Sequence, residues 1–301
     1  SSIKPDLPEE RISMTDLFDP KIISGKLIAS GLREKMAKKV KRHIDNGGRC
    51  PGLAVIIVGN DPASAIYVRN KNKACAEVGI YSEVIELPEI TEESELLNII
   101  SVLNMREDID GILVQLPLPK HINAENVINA ISPDKDVDAF HPVNVGKLVI
   151  GKYKFAPCTP SGVMYMLKER NIQIDGKHCV VIGRSNIVGK PMALLMLHAG
   201  VTVTVCHSHT VNLAEICRNA DILVSAVGKA GFVNADMVKE GAVVVDVGIN
   251  RGADGKISGD VDFEAVYPKA SHITPVPGGV GPMTISMLLY NTLVSAGIEL
   301  E

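Results

Sequence analysis

The chain reads as an α/β protein built in two lobes, and three observations point there. Its 301 residues exceed what one ordinary core needs. Short apolar runs of strand type alternate with stretches of helical period along most of the chain. The segment 151–160, which holds Pro157 and Pro160, interrupts that alternation near the middle, so the first lobe is expected over 1–160 and the second from 161 onward.

In the first lobe, Ile28, Leu32, Met36, Val40 and Ile44 recur every four residues and predict a helix that Asn46-Gly47-Gly48 stops. A buried-type strand follows over Leu53–Val58, then a helix over Ala63–Val78 closed by Gly79. A strand over Ser82–Leu87 precedes a helix from Thr91 to about Asn104, and Ile109–Gln115 is the next strand. A short helix over Asn123–Ile131 leads into a polar loop, Ser132–Asp138. Past the boundary, Ser161 is expected to cap a helix ending near Arg170. Strands at His178–Gly183, Val201–Cys206 and Ile222–Val227 then alternate with helices at Gly189–His198 and Leu213–Asn219. That run is a βαβαβ unit of the nucleotide-binding, Rossmann type. Strands at Ala242–Val247 and His272–Thr274 follow, and a last helix spans Met283–Ala296 after the irregular Pro275–Pro282.

Composition excludes several classes. Lys plus Arg is 31 and Asp plus Glu is 35, a net charge of −4 that gives no electrostatic footprint for nucleic acid or an anionic membrane. No apolar run approaches the length of a membrane span. Residues 1–20 carry Asp6, Glu9, Glu10, Asp16 and Asp19, which fits neither a signal peptide nor a transit peptide. The six cysteines are scattered without a Cys-x-x-Cys, so a reducing compartment is expected: the cytoplasm, or an organellar matrix after removal of a presequence.

The turn between the first strand and helix of the βαβαβ unit is Gly183-Arg184-Ser185-Asn186-Ile187-Val188-Gly189. It lacks the G-x-G-x-x-G spacing but keeps a glycine at the strand end and another opening the helix. Backbone N–H groups and a helix N-terminus at such a turn attract a pyrophosphate, although an ordinary strand–turn–helix connection has the same glycines. NAD-binding units usually carry an acid at the end of the second strand for the ribose 2′-OH. Here that strand ends Cys206-His207-Ser208-His209-Thr210, with no acid, and Arg184 and Ser208 could meet a 2′-phosphate, which favours NADP. The Cys-His-Ser-His string has no second ligand pair at finger spacing, so no metal is expected.

In the first lobe, Tyr67 and Lys71 lie four apart on one helical face, and Gln115 ends another strand, at the same sheet edge if the sheet is parallel. A neutral amide there could orient an ammonium without neutralising it. Solvated residues and a plain strand cap are the bland alternative. Asp136 and Asp138 flank Val137; in extended backbone they point to opposite sides, so one carboxylate at most faces a site. A carboxylate suits the paired N–H groups of an aminopyrimidine-like ring. The loop Thr274–Pro282 is rich enough in glycine and proline to let backbone approach a ligand closely, or to act as a hinge.

Taken in series, Tyr67-Val-Arg-Asn-Lys71, Gly111-Ile-Leu-Val-Gln115-Leu-Pro-Leu-Pro119, Asp134-Lys-Asp-Val-Asp138, Gly183-Arg-Ser185-Asn-Ile-Val-Gly189 and Pro275-Val-Pro-Gly-Gly-Val-Gly-Pro-Met-Thr284 resemble the bifunctional methylenetetrahydrofolate dehydrogenase/methenyltetrahydrofolate cyclohydrolase family, from about Lys21 to the C-terminus. The resemblance implies an N-terminal folate-binding catalytic domain, an NADP-binding domain over 161–281, a cleft between them, and a last helix, 282–301, that packs back on the first domain. It implies oxidation of 5,10-methylenetetrahydrofolate with NADP and hydrolysis of the methenyl product to 10-formyltetrahydrofolate, a step of one-carbon metabolism that serves purine biosynthesis. By motif, Lys71 is the catalytic residue of hydrolysis, assisted by Tyr67 and Gln115, while Tyr67, Asp138, Pro277, Gly278 and Gly279 hold the folate. Gly183, Arg184, Ser185, Gly189, Ser208 and Ile249 hold the cofactor, and the family implies a homodimer joined through its NADP-binding domains. Ala139 stands where many relatives have glycine, so the backbone after Asp138 is expected to avoid positive φ. The alternatives are a monofunctional NAD(P)-dependent methylenetetrahydrofolate dehydrogenase, a dehydrogenase of another two-domain family, and a dinucleotide-sensing module. The other dehydrogenase family would need a cationic clamp for a substrate carboxylate and a proton-transfer pair, a set the sequence does not place, and a sensing module has no need for Tyr67, Lys71 and Gln115 at one sheet edge.

Overall fold

The structure is a computed structural model and describes residues 19–300. The expectation for the acidic N-terminal segment therefore lies, up to residue 18, outside the described residues. Helix α1 (Gly25–Asp45) begins the first lobe, with Ser24 capping it by accepting from Leu27 N. Strands β1 (Gly52–Val58), β2 (Tyr81–Leu87) and β3 (Gly111–Val114) form a parallel sheet in the order β2-β1-β3. Helix α2 (Pro62–Val78) joins β1 to β2, and α3 (Glu93–Met105) joins β2 to β3. Asp61 caps α2, Pro62 opens it, and Gly79 closes it in the left-handed conformation, the sequence signals for both ends. Helices α4 (Ala124–Ala130) and α5 (Pro142–Val149) complete the lobe, and α6 (Cys158–Glu169) leads to the second.

The second sheet is also parallel, in the order β10-β7-β6-β4-β5. Its strands are β4 (His178–Ile182), β5 (Thr202–Cys206), β6 (Ile222–Ser225), β7 (Val243–Asp246) and β10 (His272–Ile273). Helices α7 (Gly189–His198), α8 (Leu213–Arg218) and α9 (Phe263–Val266) and a small hairpin, β8 (Asn250–Arg251) with β9 (Ile257–Ser258), fill the connections. The last helix is α10 (Val280–Ser295).

Strand period 2 sorts the apolar residues into layers. Leu53, Val55 and Ile57 of β1 and Cys179 and Val181 of β4 share one core with α1, α2, α6, α7 and α10, so the helices between the two sheets bind both. Ala54, Ile56 and Val58 face the other way, onto α3 and α4. Val180, Ile182, Leu223 and Val244 face α8 and α9. The segment before α1 straps the lobes together: Ile22 bridges Ile273 beside β10, and Arg170 donates to the carbonyls of Ile22 and Pro20.

Three expectations need correction, and one helix was missed. Residues 142–149, to which the sequence reading assigns no element, form α5, because Pro142 pre-sets the first turn and His141 Nδ1 accepts from Val143 N. Ser161 lies inside α6 and does not cap it; the helix starts at Cys158, since Pro160 needs no donor in a first turn. The last helix likewise starts before Pro282, at Val280. Ala139 has φ +59°, against the expectation from its side chain. Its N–H donates to Asp136 O, and the next two amides, Phe140 N and His141 N, donate to the Asp136 carboxylate. Those bonds impose a turn that an alanine tolerates at some cost.

The C-terminal helix is tied to the Asp138 segment through a buried amide. Asn291, 2% exposed, donates from Nδ2 to Val137 O at 2.9 Å and to Ala156 O at 3.0 Å. Replacing Asn291 by Leu removes the donor for two buried carbonyls. We expect a loss of about 1–3 kcal/mol per stranded group in urea denaturation. Unchanged stability would show that the amide contributes nothing to holding α10 in place.

Candidate active site

Three segments deliver side chains to the carboxyl edge of the first sheet. β1 runs directly into α2, whose second and third turns carry Tyr67 and Lys71 on one face. Gln115 directly follows β3 and its N–H donates to Ile56 O, so the register of β3 on β1 fixes where its amide sits. Asp136 makes an isolated parallel bridge to Ile112, extending the sheet for one residue and aiming the chain past Gln115 toward the same edge. Lys71 Nζ donates to Gln115 Oε1 at 2.8 Å, and Gln115 Nε2 donates to Leu116 O. The amide oxygen is thereby turned to the lysine.

Asp136 and Asp138 diverge. Asp136 is buried and accepts from Phe140 N, His141 N and Asn144 Nδ2, so it organises the turn. Asp138 lies in the electrostatic field of Lys71, and among the described residues no protein donor hydrogen-bonds its carboxylate. Desolvation pushes the Asp138 carboxyl up to about 6, and the Lys71 ammonium partly offsets that. Burial lowers the pKa of Lys71, with the negative charge of Asp138 acting in the opposite direction. Cys158 lies in the same field, its thiol pushed well up by burial. Tyr67 is 51% exposed, leaving the ring face open.

At the second sheet, Gly183 ends β4 with φ +126°, and a Cβ there would meet Ala226 O at 2.6 Å. A Cβ on Gly189 would meet Gly183 O at 2.1 Å. The turn between them is therefore drawn tight against the start of α7. Ser185 Oγ accepts from Val188 N and Gly189 N, which leaves its hydroxyl proton to donate outward. Arg184 and Ser208 are exposed at the ends of β4 and β5, and no acid follows β5. Glycine where a side chain would fill the turn, a helix N-terminus and an acid-free second strand fit a dinucleotide carrying a 2′-phosphate.

The loop after β10 meets the start of α1. Lys26 N donates to Gly278 O, and a Cβ on Gly25 would fall 1.6 Å from Gly279 O. Gly278 has φ +91°, and Pro277 stands exposed at the turn. Ile249, 60% exposed, reaches Gly281, with its Cδ1 3.9 Å from where a Cβ on that glycine would sit. A cavity of about 700 Å³ lined by Tyr153, Tyr165, His198 and Tyr290 contains none of these residues and lies between α6, α7 and α10. Sequence reasoning overlooked Asn291 and Cys158. Asn291 left a signal, a lone amide within Leu288–Leu293 of an apolar helix. Cys158 left none, being adjacent to the site only in space.

Comparison with known proteins identifies the chain's relatives. The family models for the tetrahydrofolate dehydrogenase/cyclohydrolase catalytic domain and NAD(P)-binding domain match residues 23–138 and 157–299. The chain is 59% identical to the bifunctional protein FolD of Agathobacter rectalis, over 92% of this chain and 98% of that protein. The crystal structure of the bifunctional methylenetetrahydrofolate dehydrogenase/cyclohydrolase FolD from Campylobacter jejuni superimposes with a TM-score of 0.90 at 51% identity, covering 92% of this chain and 98% of that one. The Trypanosoma brucei dehydrogenase-cyclohydrolase, solved with NADP cofactor and inhibitor, gives a TM-score of 0.86 at 41% identity over 92% of this chain and 97% of that one. The chain belongs to the tetrahydrofolate dehydrogenase/cyclohydrolase family.

Proposed function

We propose that the protein oxidises 5,10-methylenetetrahydrofolate to the 5,10-methenyl cation with NADP and hydrolyses that cation to 10-formyltetrahydrofolate in one cleft. The observation that carries the reading is the desolvated Lys71, bonded to Gln115 Oε1 at 2.8 Å and facing Asp138. A dehydrogenase alone has no need for that lysine, and the relatives named above are bifunctional.

In this reading Asp138 accepts the paired N–H groups of the pterin, for which its carboxylate is left open, and Tyr67 stacks on the substrate. When bound, NADP supplies the hydride acceptor. Arg184, Ser185 and Ser208 hold its phosphates, Gly183 and Gly189 let it approach, and Ile249, Pro277, Gly278 and Gly279 border its reactive end and the folate. In hydrolysis, water forms a C–O bond to the methenyl carbon while Lys71 in its neutral form, which burial favours, takes the water's proton. The N5–C bond then breaks, N5 keeps the electron pair and takes a proton from Lys71, and the carbon leaves as the N10-formyl group. The second water proton passes to solvent. Gln115 offers Lys71 an acceptor without a charge, so the lysine is oriented without being locked as an ammonium.

A homodimer through the NADP-binding lobes completes the proposal. Among the described residues β5 leaves one edge of the second sheet unpaired, with Val205 39% exposed on it. The six cysteines form no disulfide, which supports a cytoplasmic setting.

Lys71→Met keeps the stem and removes the amine. Hydrolysis of methenyltetrahydrofolate should fall by about 10²–10⁴-fold, the usual contribution of a general acid–base, while NADPH formation persists in part. Hydrolysis at the wild-type rate would reduce Lys71 to a plain helix lysine.

Asp138 must be ionised to pair with the pterin, and its carboxyl titrates at about 6. Folate KM should therefore be constant above that pH and rise as pH falls through it, with NADP affinity unmoved. Asp138→Asn should abolish this pH step and raise folate KM at every pH. A wild-type KM that is flat down to pH 5 would rule out the assignment.

The acid-free end of β5 predicts preference for NADP over NAD, and Ser208→Asp should weaken NADP by like-charge repulsion with the 2′-phosphate. Equal wild-type turnover with both nucleotides would show that Arg184 and Ser208 do not read that phosphate.

A further inference from the structure

Two buried carboxylates sit at the carboxyl ends of β6 and β7 without a task in the reading above. Asp260, with no exposed surface, follows the β8–β9 hairpin. It accepts from Ser225 Oγ at 3.0 Å, Val227 N at 2.8 Å, Lys229 N at 3.0 Å and Asn250 Nδ2 at 3.3 Å. Asp246, 3% exposed, accepts from Gly248 N at 2.9 Å, Asp260 N at 3.0 Å and Val261 N at 2.9 Å. Its own N–H donates to Thr274 Oγ1 at 2.8 Å. The chain is glycine where each carboxylate passes: a Cβ on Gly248 would fall 2.0 Å from Asp260 Oδ1, and one on Gly259 would fall 1.9 Å from Asp246 Oδ2.

No lysine or arginine among the described residues forms an ion pair with either acid. Two adjacent buried carboxylates without a cation are a costly way to hold a fold together. What they deliver is geometry. Asp260 ties the loop after β6 (Val227, Lys229) to the loop after β7 (Asn250). Asp246 ties the loop after β7 (Gly248) to Thr274, which opens the Pro275–Gly279 loop. Ile249 stands between Gly248 and Asn250, the two residues held.

The sheet order says which part of the cleft these loops frame. The phosphate turn follows β4, and Ser208 follows β5, on one side of β4. β6, β7 and β10 lie on the other side, so a dinucleotide whose 2′-phosphate lies by β5 extends its nicotinamide half over their ends. We propose that Asp246 and Asp260 are positioning residues for hydride transfer, fixing the loops after β6, β7 and β10 that build the nicotinamide side of the cleft. This rests on the dehydrogenase reading; hydrolysis is centred on the first sheet, and the Asp260 carboxylate makes no bond to the Pro275–Gly279 loop that borders the folate.

The test is Asp260→Asn in the full chain, which keeps the shape but turns an amide N–H₂ toward groups that are themselves donors. Dehydrogenase kcat should fall by about 10–100-fold, as a misplacement near 1 Å does. Hydrolysis of methenyltetrahydrofolate, assayed without nucleotide, should stay at the wild-type rate. In the nucleotide-free protein, amide hydrogen exchange should quicken in residues 226–229 and 247–250 and remain unchanged in the first lobe. Parallel loss of both activities would make the pair a purely structural feature, and an unchanged dehydrogenase kcat would also overturn the inference. Should Asp260→Asn lack a cooperative unfolding transition, Ser225→Ala and Asn250→Ala each remove a single bond. They should show the same split at about 3–10-fold, the effect of one net hydrogen bond, and an absent split overturns the proposal. Wild-type protein that hydrolyses methenyltetrahydrofolate but makes no NADPH would instead overturn the dehydrogenase reading itself.

Discussion

The site depends on one constraint: an amine held at the edge of a sheet where water is scarce. Lys71 loses hydration by burial, which lowers its pKa, and recovers one neutral hydrogen bond from Gln115 and one unbonded negative charge from Asp138. Each of the three groups arrives on a different segment, so their mutual geometry is a property of the sheet. β1 and β3 pair in parallel with Ile56 opposite Val114, and Gln115 N donates to Ile56 O, which sets the amide beside the helix that β1 launches. A one-residue slip of β3 would turn Gln115 to the other face and leave Lys71 without an acceptor.

Asp138 needs more support, because its segment extends the sheet by only one bridge. That support comes from polar groups in sites that could have been apolar. Asn144 donates to Pro133 O and the Asp136 carboxylate, Asn291 donates to Val137 O, and Ser295 donates to Asp110 O and Asp134 O. The last helix thus fixes residues next to the edge that carries Lys71, and its head meets the head of α1, where Gly25 packs on Gly279. The positive φ of Ala139 is the local strain this arrangement tolerates.

Much of this was legible in sequence because it is local. The four-residue spacing of Tyr67 and Lys71, the strand that ends in Gln115, the period-2 divergence of Asp136 and Asp138 and the glycines of the β4 turn each follow from a repeat or a turn rule. What was illegible depends on partners far away in the chain. Helix α5 was hidden because Pro142 reads as a breaker unless one knows that it stands at a first turn. Pro160 hid the start of α6 in the same way. Ala139 misled because side-chain preference was weighed without the three amides that bond to Asp136. The Asp246–Asp260 pair, fourteen residues apart, joins loops from different strands and has no periodic signature.

A lowered lysine pKa serves both proposed reactions. Hydride loss converts a neutral folate into a methenyl cation beside Lys71. Two unit positive charges about 4 Å apart repel by about 4 kcal/mol at an effective dielectric near 20, equivalent to roughly a thousandfold in rate. An ammonium locked in place by a carboxylate would carry that penalty into the hydride step. A lysine whose only hydrogen-bond acceptor among the described residues is the neutral Gln115 Oε1, and whose burial already disfavours its charge, can release its proton to solvent as the cation forms. The neutral amine is then the base that water addition requires. In the proposed reading the charge of Asp138 favours the cation in both steps without hydrogen-bonding the lysine, so an amide rather than a second carboxylate at position 115 suits a cleft that must make a cation and then consume it.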